Sequence, residues 1–252
     1  ILMSAAFLHA FYHALFKGLL FLSVGTTVDR TKERDVYALR GANAVLRRSG
    51  ERFPQTLICF MIGALAISAI PPFNGYASKV AISYALKGSP HYYLLYVAGI
   101  GTVASFIKLS RIFWPVKRSK GVTAEHLSEV STRSAEALEK HLPVYTSIHI
   151  AQGFLALLCV VGGLMAPRIF SFVLRLMSGT GSDVSSAVNF YSVDNLSKTL
   201  IITCSGVVLF LLATSQPGSR LLKRIRERPR DFQGLFVSFA LGTAALAAWM
   251  LM

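Results

Sequence analysis

The sequence predicts an all-α, polytopic transmembrane helix bundle. Of its 252 residues, 53% are hydrophobic and only 15% are charged, whereas soluble domains carry about 25% charged residues. The apolar residues also cluster in blocks of about 16 to 26 residues, which polar and basic stretches separate. Because a helix needs roughly 20 apolar residues to cross the hydrocarbon core of a bilayer, these blocks predict about six crossings, one of them discontinuous.

The charge pattern argues against a nucleic-acid-binding protein. The formal net charge is +14, but the surplus lies between the apolar blocks rather than on one amphipathic element or a basic arm. The cysteines Cys59, Cys159 and Cys204 lie one to a block, without the spacing of a metal or redox site. We therefore expect no nucleic-acid partner, and no cofactor or metal in this chain.

The chain opens directly on an apolar block at Ile1. This block has neither the charged first region nor the small-residue cleavage site of a signal peptide. We therefore expect further chain upstream, separated by processing, a split gene or truncation.

The second predicted crossing is interrupted. Apolar character runs over 55–70, stops at Pro71-Pro72-Phe73-Asn74-Gly75 and resumes over 76–87. Since two prolines and a glycine interrupt the hydrogen-bond ladder of a helix, we interpret 55–87 as one crossing made of two half-helices. The full set of predicted spans is 1–24, 55–87, 91–116, 143–165, 198–216 and 231–252, with a short apolar piece at 169–177 between the fourth and fifth spans.

Alternating crossings sort the connections by charge. The connections 25–54, 117–142 and 217–230 fall on one side and carry 7, 5 and 6 Lys and Arg residues. On the other side, 88–90 and 166–197 carry Arg168 and Arg175. The positive-inside rule then places the basic set on the cytoplasmic or matrix side. Counting 55–87 as two crossings would mix the basic connections across both faces.

Three ionisable side chains form a stripe on the first predicted span. His9, His13 and Lys17 are spaced four residues apart, which places them within an arc of roughly 80° on a helix. Ionisable groups inside a span cost about 2.5–3.5 kcal/mol each on insertion scales and are therefore functional candidates. Because histidine exchanges protons near neutral pH, the stripe suggests a proton wire. The alternative is a hydrogen-bonded packing stripe with Lys17 reaching towards a headgroup.

Three further cations lie in predicted spans. Lys79 follows the interruption, where a broken helix leaves backbone groups that line a cavity or face protein. It is a candidate proton carrier, or else a cap for the freed carbonyls. Lys108 and Arg111 lie near the end of the third span, and Arg111, followed by Phe113 and Trp114, equally resembles an interfacial anchor.

Two motifs carry a family resemblance. His13-Ala-Leu-Phe-Lys17-Gly-Leu-Leu-Phe-Leu and Ile62-Gly-Ala-Leu-Ala-Ile-Ser-Ala-Ile-Pro-Pro-Phe-Asn-Gly-Tyr-Ala-Ser-Lys79 resemble segments of the antiporter-like, proton-conducting membrane subunit. Respiratory complex I, membrane-bound hydrogenases and Mrp-type Na⁺/H⁺ antiporters share this subunit. The motifs follow in the family's order and at about its spacing, and the resemblance extends over 1–116, less closely to 165, and weakly beyond.

The resemblance implies a fold and a set of roles. Family members have two inverted five-helix repeats, each with a broken helix and a half-channel. By resemblance, Lys17 corresponds to the channel lysine of the second repeat, His9 and His13 lead to it, and Lys79 is the ionisable residue of the broken helix. Arg111 lies where members often have arginine, whereas Lys108 matches no shared motif.

The same resemblance implies a domain division. Residues 1–165 correspond to the second repeat, and 166–252 form a C-terminal extension with two further transmembrane helices. The first repeat is absent from this sequence.

The leading functional hypothesis is a proton-translocating subunit, or its C-terminal fragment, of a complex I-related redox-driven pump such as an NADH:quinone oxidoreductase or a membrane-bound hydrogenase. The chain itself would carry no catalytic centre. The alternatives are membership of an Mrp-type Na⁺/H⁺ antiporter and a structural membrane scaffold. The expected partners are the lipid bilayer, other membrane subunits and, as one option, a separate chain that carries the first repeat. The expected location is a prokaryotic cytoplasmic membrane, with the mitochondrial inner membrane as the alternative.

Overall fold

The computed structural model describes residues 1–36, 39–51, 53–115, 146–178, 188–220, 237 and 240–243. All regular structure in these ranges is helical. The helices are α1 (Leu2–Thr31), α2 (Ala42–Arg48), α3 (Gln55–Ile67), α4 (Asn74–Ala85), α5 (His91–Ser110), α6 (Thr146–Leu164), α7 (Ala166–Ser178) and α8 (Val193–Thr214), with a 3₁₀ turn at Arg111–Phe113. The chain divides into two compact units, Ile1–Phe210 and Leu211–Met252.

Four of the described helices are long and apolar enough to cross a membrane. These segments are Leu2–Thr31, His91–Phe113, Thr146–Leu164 and Val193–Thr214. The predicted all-α, polytopic membrane fold is therefore confirmed. Of the sixth predicted span, 231–252, only 237 and 240–243 are described, and they are helical.

The predicted broken crossing is also present. Helix α3 has 13 residues and ends at Ile67, and α4 has 12 residues and begins at Asn74. At 1.5 Å per residue each half is at most about 20 Å long, which is shorter than the roughly 30 Å hydrocarbon core. Only the two halves together are long enough for one crossing. Between them, Ala69 adopts a left-handed conformation with φ 59°.

Helix α1 is the centre of the unit formed by residues 1–210. It packs against α3, α4 and α6, and its buried face presents Ala5, Leu8, Tyr12 and Phe16 at helical spacing. Helix α7 lies beyond the predicted domain boundary at 165, and its residues Ala166, Phe170, Val173 and Leu174 join the same core cluster. The division at 165 stays a prediction.

Two helices are longer than the sequence indicated. Helix α1 continues to Thr31, although the sequence predicts a connection from residue 25. Its polar side chains Ser23, Thr26, Thr27 and Thr31 each donate a hydrogen bond to the carbonyl four residues earlier, so they satisfy themselves within the helix.

Helix α8 begins at Val193, five residues before the predicted start at 198. The hydroxyl of Ser192 accepts a hydrogen bond from the backbone N–H of Asn195, an N-terminal cap that starts the helix early. The connection predicted at 117–142, and residues 221–230, lie outside the described residues.

The unit has two distinguishable ends. The basic end holds the 32–54 connection, where the Gly41 N–H donates to the Trp114 carbonyl just after α5. The turn end holds residues 86–90, which join α4 to α5. Helices α1, α5 and α8 therefore each have one terminus at each end, in the alternation that the sequence predicts.

Candidate functional site: a cavity beside the broken helix

A cavity of about 660 Å³ lies among α1, α4, α5 and α8. Since one water molecule needs about 10–15 Å³ of such space, the cavity has room for a chain of waters. Its ionisable or hydroxyl- and amide-bearing lining residues are His9, His13, Lys17, Ser68, Tyr76, Lys79, Ser83, Tyr96, Thr102, Ser105, Asn195, Lys198 and Thr199. The cavity therefore joins the predicted stripe of α1 to the predicted lysine of α4.

The two histidines of the stripe lie side by side on this cavity. Their ring centroids are 5.8 Å apart in an edge-to-face arrangement. Nδ1 of His9 is hydrogen-bonded to Oγ of Ser78, 2.9 Å away, on the first turns of α4. This bond fixes the His9 ring against the broken helix and leaves its other nitrogen for a second partner.

Lys17 lies one turn further along α1 and is half-buried. Its Nζ is 5.8 Å from the centroid of the Phe21 ring, within the range of a cation–π contact. Because Lys17 also lines the cavity, its ammonium is positioned beside the stripe rather than at a headgroup alone.

Lys79 has a position that suits both of the roles that the sequence left open. Its Nζ donates a hydrogen bond of 2.8 Å to the carbonyl oxygen of Ile67, the last residue of α3, and so caps a freed carbonyl. The same side chain lines the cavity. His9 and His13 both lie close enough to interact electrostatically with the Lys79 charge.

Lys108 and Arg111 lie elsewhere. Both are exposed near the basic end of α5 and are not among the residues that line the cavity. The guanidinium carbon of Arg111 lies 5.9 Å from the centroid of the Phe210 ring. Burial lowers the pKa of the nearby Arg40, and the Arg111 charge lowers it further. Any role of Lys108 and Arg111 in ion transfer stays a prediction.

Sequence reasoning missed several residues of the site. Ser78, Tyr96 and Asn195 carry no charge and interrupt no pattern, so nothing in the sequence marked them. Lys198 lies at the margin of a predicted span, although its spacing of four residues from Asp194 is a sequence signal for an ion pair on one helix.

The cysteines do not form a centre among the described residues. Cys59 and Cys159 are free and buried in the bundle, whereas Cys204 is free and exposed. Within the described ranges, no group of three or more His, Cys, Asp or Glu side chains is arranged to hold a metal ion. The absence of a cofactor in this chain stays a prediction.

Comparison with known proteins assigns the family. A family model described as NADH:quinone oxidoreductase/Mrp antiporter, transmembrane, matches residues 1–107. Hydrogenase-4 component B of Escherichia coli (strain K12) is 32% identical over 201 residues, which are 73% of this chain and 26% of that protein. Formate hydrogenlyase subunit 3 of the same strain is 27% identical over 221 residues, 86% of this chain and 34% of that protein.

A third relative represents the antiporters. This Na⁺/H⁺ antiporter subunit of Bacillus subtilis (strain 168) is 32% identical over 124 residues, 45% of this chain and 14% of that protein. The chain thus spans about a third or less of the length of these curated relatives. Together with the apolar helices, these matches show that the chain is an integral membrane protein and belongs to the antiporter-like subunit family of complex I-related oxidoreductases, hydrogenases and Mrp antiporters.

Proposed function

We propose that this chain is a proton-translocating, antiporter-like subunit, or part of one, of a redox-driven complex related to complex I. The observation that carries this proposal is the shared cavity: one space of about 660 Å³ is lined by His9, His13 and Lys17 of α1 and by Lys79 of α4. An arrangement that served only helix packing would bury these groups against partners rather than around a common volume.

The proposed path runs through these four side chains. A proton moves along His9, His13 and Lys17 and reaches Lys79 through water in the cavity. Lys79 is suited to the last step because its ammonium donates to a neutral carbonyl, and a neutral acceptor does not fix its charge as an acid would. A change of charge in a neighbouring subunit would alter the free energy of the charged lysine and drive release.

The source of the driving force separates two versions of the proposal. The names of two relatives, hydrogenase-4 component B and formate hydrogenlyase subunit 3, favour a redox-driven assembly whose electron carriers lie on other subunits. The Na⁺/H⁺ antiporter relative from Bacillus subtilis supports the Mrp alternative. Sodium-dependent proton movement in vesicles that lack any electron donor would favour the antiporter. A structural scaffold remains the third candidate, and it predicts a loss of assembly rather than of transport.

The proposal includes a setting. The partners are further membrane subunits of a multisubunit complex, and one of them is a candidate to carry the first repeat. We place the complex in a prokaryotic cytoplasmic membrane, with the basic connections on the cytoplasmic side because positively charged connections remain there. Mass spectrometry of the intact detergent-extracted complex would identify the redox subunits, or show only small membrane subunits as in the Mrp case.

The deciding experiment removes the lysines one at a time. Lys17→Ala and Lys79→Ala are introduced into the whole complex, and Lys32→Ala serves as control because Lys32 is exposed at the end of α1, where it pairs with Asp29 away from the cavity. We expect both cavity variants to assemble normally and to lose proton movement into closed vesicles, whereas the control retains it. Unchanged proton movement per turnover in both cavity variants would refute the proposal.

A further inference from the structure

A second, smaller cavity adjoins the first at the turn end. It measures about 180 Å³ and shares three of its lining residues, Ser83, Asn195 and Lys198, with the large cavity. It is also lined by Lys87, which borders the turn between α4 and α5. The small cavity therefore lies between the large cavity and the turn end of the unit.

A pair of tyrosines bridges the two cavities. Tyr96 lines the large cavity and Tyr92 lines the small one. Their hydroxyl oxygens are 2.6 Å apart in a hydrogen bond in which either can donate. A hydroxyl accepts one proton as it gives up another, so this pair connects the two volumes for protons without opening a pore for larger ions.

A carboxylate stands on the outer side of the tyrosine pair. Asp194 lines the small cavity and forms an ion pair with Lys198, four residues along α8. The side chain of Asp194 is 69% exposed and that of Lys198 is 36% exposed. Among the described residues after Glu51, Asp194 is the one acid. It is therefore the described carboxylate available to accept a proton that leaves the cavity at this end.

We propose that Tyr96, Tyr92 and Asp194, with Lys198 beside them, form the proton outlet of the large cavity at the turn end. This inference rests on the proposed function, since it deepens the path that begins at His9. The Lys79 ammonium gives up one proton to cavity water, the Tyr96–Tyr92 hydroxyls relay it, and the Asp194 carboxylate takes it up and releases it to the aqueous phase. Lys79 is left neutral and able to accept the next proton.

Lys198 holds the carboxylate in place. Its ammonium bonds to Asp194 and also interacts electrostatically with Tyr92, so it keeps the acid next to the tyrosine pair. Because Lys198 lines both cavities, its positive charge also stands where the two volumes meet and opposes the passage of metal cations. An exposed ion pair contributes little to stability, so its removal should leave the fold intact.

The first test measures proton movement in closed vesicles that contain the whole complex. Asp194→Asn is compared with Asp29→Asn, because Asp29 forms a similar exposed ion pair with Lys32 at the basic end and lines neither cavity. We expect Asp194→Asn to lower the rate at least fivefold and Asp29→Asn to change it less than twofold. Equal rates in the two variants would overturn the outlet.

A parallel Lys79→Ala variant keeps the two levels of the argument apart. If Lys79→Ala abolishes proton movement while Asp194→Asn does not lower it, the outlet is wrong and the proposed function stands. If Lys79→Ala has no effect, the proposed function itself is wrong, and the outlet fails with it.

The second test does not depend on transport. Ser83, which lines both cavities, is replaced by cysteine in a Cys204→Ser background, where Cys59 and Cys159 are buried. We expect a membrane-impermeant maleimide to label Ser83→Cys from the turn-end side of the membrane. Arg34→Cys, exposed in the basic connection, should be labelled from the other side. Labelling of Ser83→Cys from the basic side only, or none at all, would overturn the outlet.

Discussion

Nζ of Lys79 donates a hydrogen bond of 2.8 Å to the carbonyl oxygen of Ile67. In an uninterrupted helix that carbonyl would accept from the residue four positions later, which is Pro71, and proline has no backbone N–H. Lys79 thus supplies the donor that the proline withholds, from the other half of the same crossing. The side chain that caps the break is also the one that faces the cavity.

Substitution of Lys79 by arginine should separate capping from proton transfer. Arginine keeps a donor and a charge near Ile67, but it cannot release a proton at physiological pH. We therefore expect Lys79→Arg to assemble like the wild type and to lose proton movement, as measured with a pH-sensitive dye in closed vesicles. Lys79→Met, which lacks the donor, should lose proton movement and also lower the melting temperature of the solubilised complex. Wild-type transport by Lys79→Arg would contradict a proton-carrying Lys79.

Loss of the Ser78 hydroxyl should slow proton transfer without unfolding the bundle. The hydroxyl is hydrogen-bonded to Nδ1 of His9 across the interface of α1 and α4, and without it the ring loses its fixed orientation. We expect Ser78→Ala to reduce the rate of proton movement about 3- to 10-fold, less than the loss of a proton-transfer group itself. Ser110→Ala is the control, because that hydroxyl donates to the Ile107 carbonyl of its own helix and Ser110 does not line the cavity. The same rate in Ser78→Ala and the control would argue against a role for the His9 orientation.

Insertion of a methyl group at Gly163 should destabilise the broken crossing. A Cβ at this position of α6 would overlap the backbone carbonyl of Pro72, and a backbone group cannot move aside as a flexible side chain does. Overpacking of this kind costs about 1–3 kcal/mol, so Gly163→Ala should lower the melting temperature and the yield of assembled complex.

Gly153→Ala on the same helix is the matched control. Its Cβ would lie 3.7 Å from Nε2 of Gln55, an ordinary contact, and alanine favours the helix over glycine. The expected effect is neutral or slightly stabilising. Equal destabilisation by both substitutions would show that α6 tolerates no added methyl group for reasons unrelated to Pro72.

Removal of the Tyr12 hydroxyl should cost a modest amount of stability. The hydroxyl is buried and donates a hydrogen bond of 2.9 Å to the carbonyl of Gly162, which ties α1 to α6. Hydrogen bonds between transmembrane helices contribute about 0.6 kcal/mol on average and up to about 1.7 kcal/mol. Tyr12→Phe should therefore lower the unfolding free energy in detergent by roughly that range. Tyr93→Phe, at a side chain that is 72% exposed, should leave it unchanged, and a similar loss in both would assign the effect to something other than this bond.

The sequence alone determined the membrane class, the broken crossing and the stripe on α1. These features depend on local information: the length of an apolar block, the missing N–H groups of Pro71 and Pro72, and the helical spacing of His9, His13 and Lys17. Each is encoded within about 20 residues, so no knowledge of neighbouring helices is needed to recognise it.

The helix ends were less predictable from local polarity. Thr26, Thr27 and Thr31 resemble connection residues by composition, but they bond back to the carbonyls of α1 and extend it. A hydroxyl that satisfies itself within a helix avoids most of the cost of leaving water, and composition does not register this.

Only the tertiary structure decided which groups share a cavity. Tyr76, Tyr96 and Lys198 come from three different helices, and they lie around the same volume because α4, α5 and α8 pack beside the break in the second crossing. Periodicity along one helix specifies a face but not the helix that it meets. The side chains opposite that face are set by packing between residues far apart in the chain, such as His9 and Ser78, and that packing decided which uncharged groups join the site.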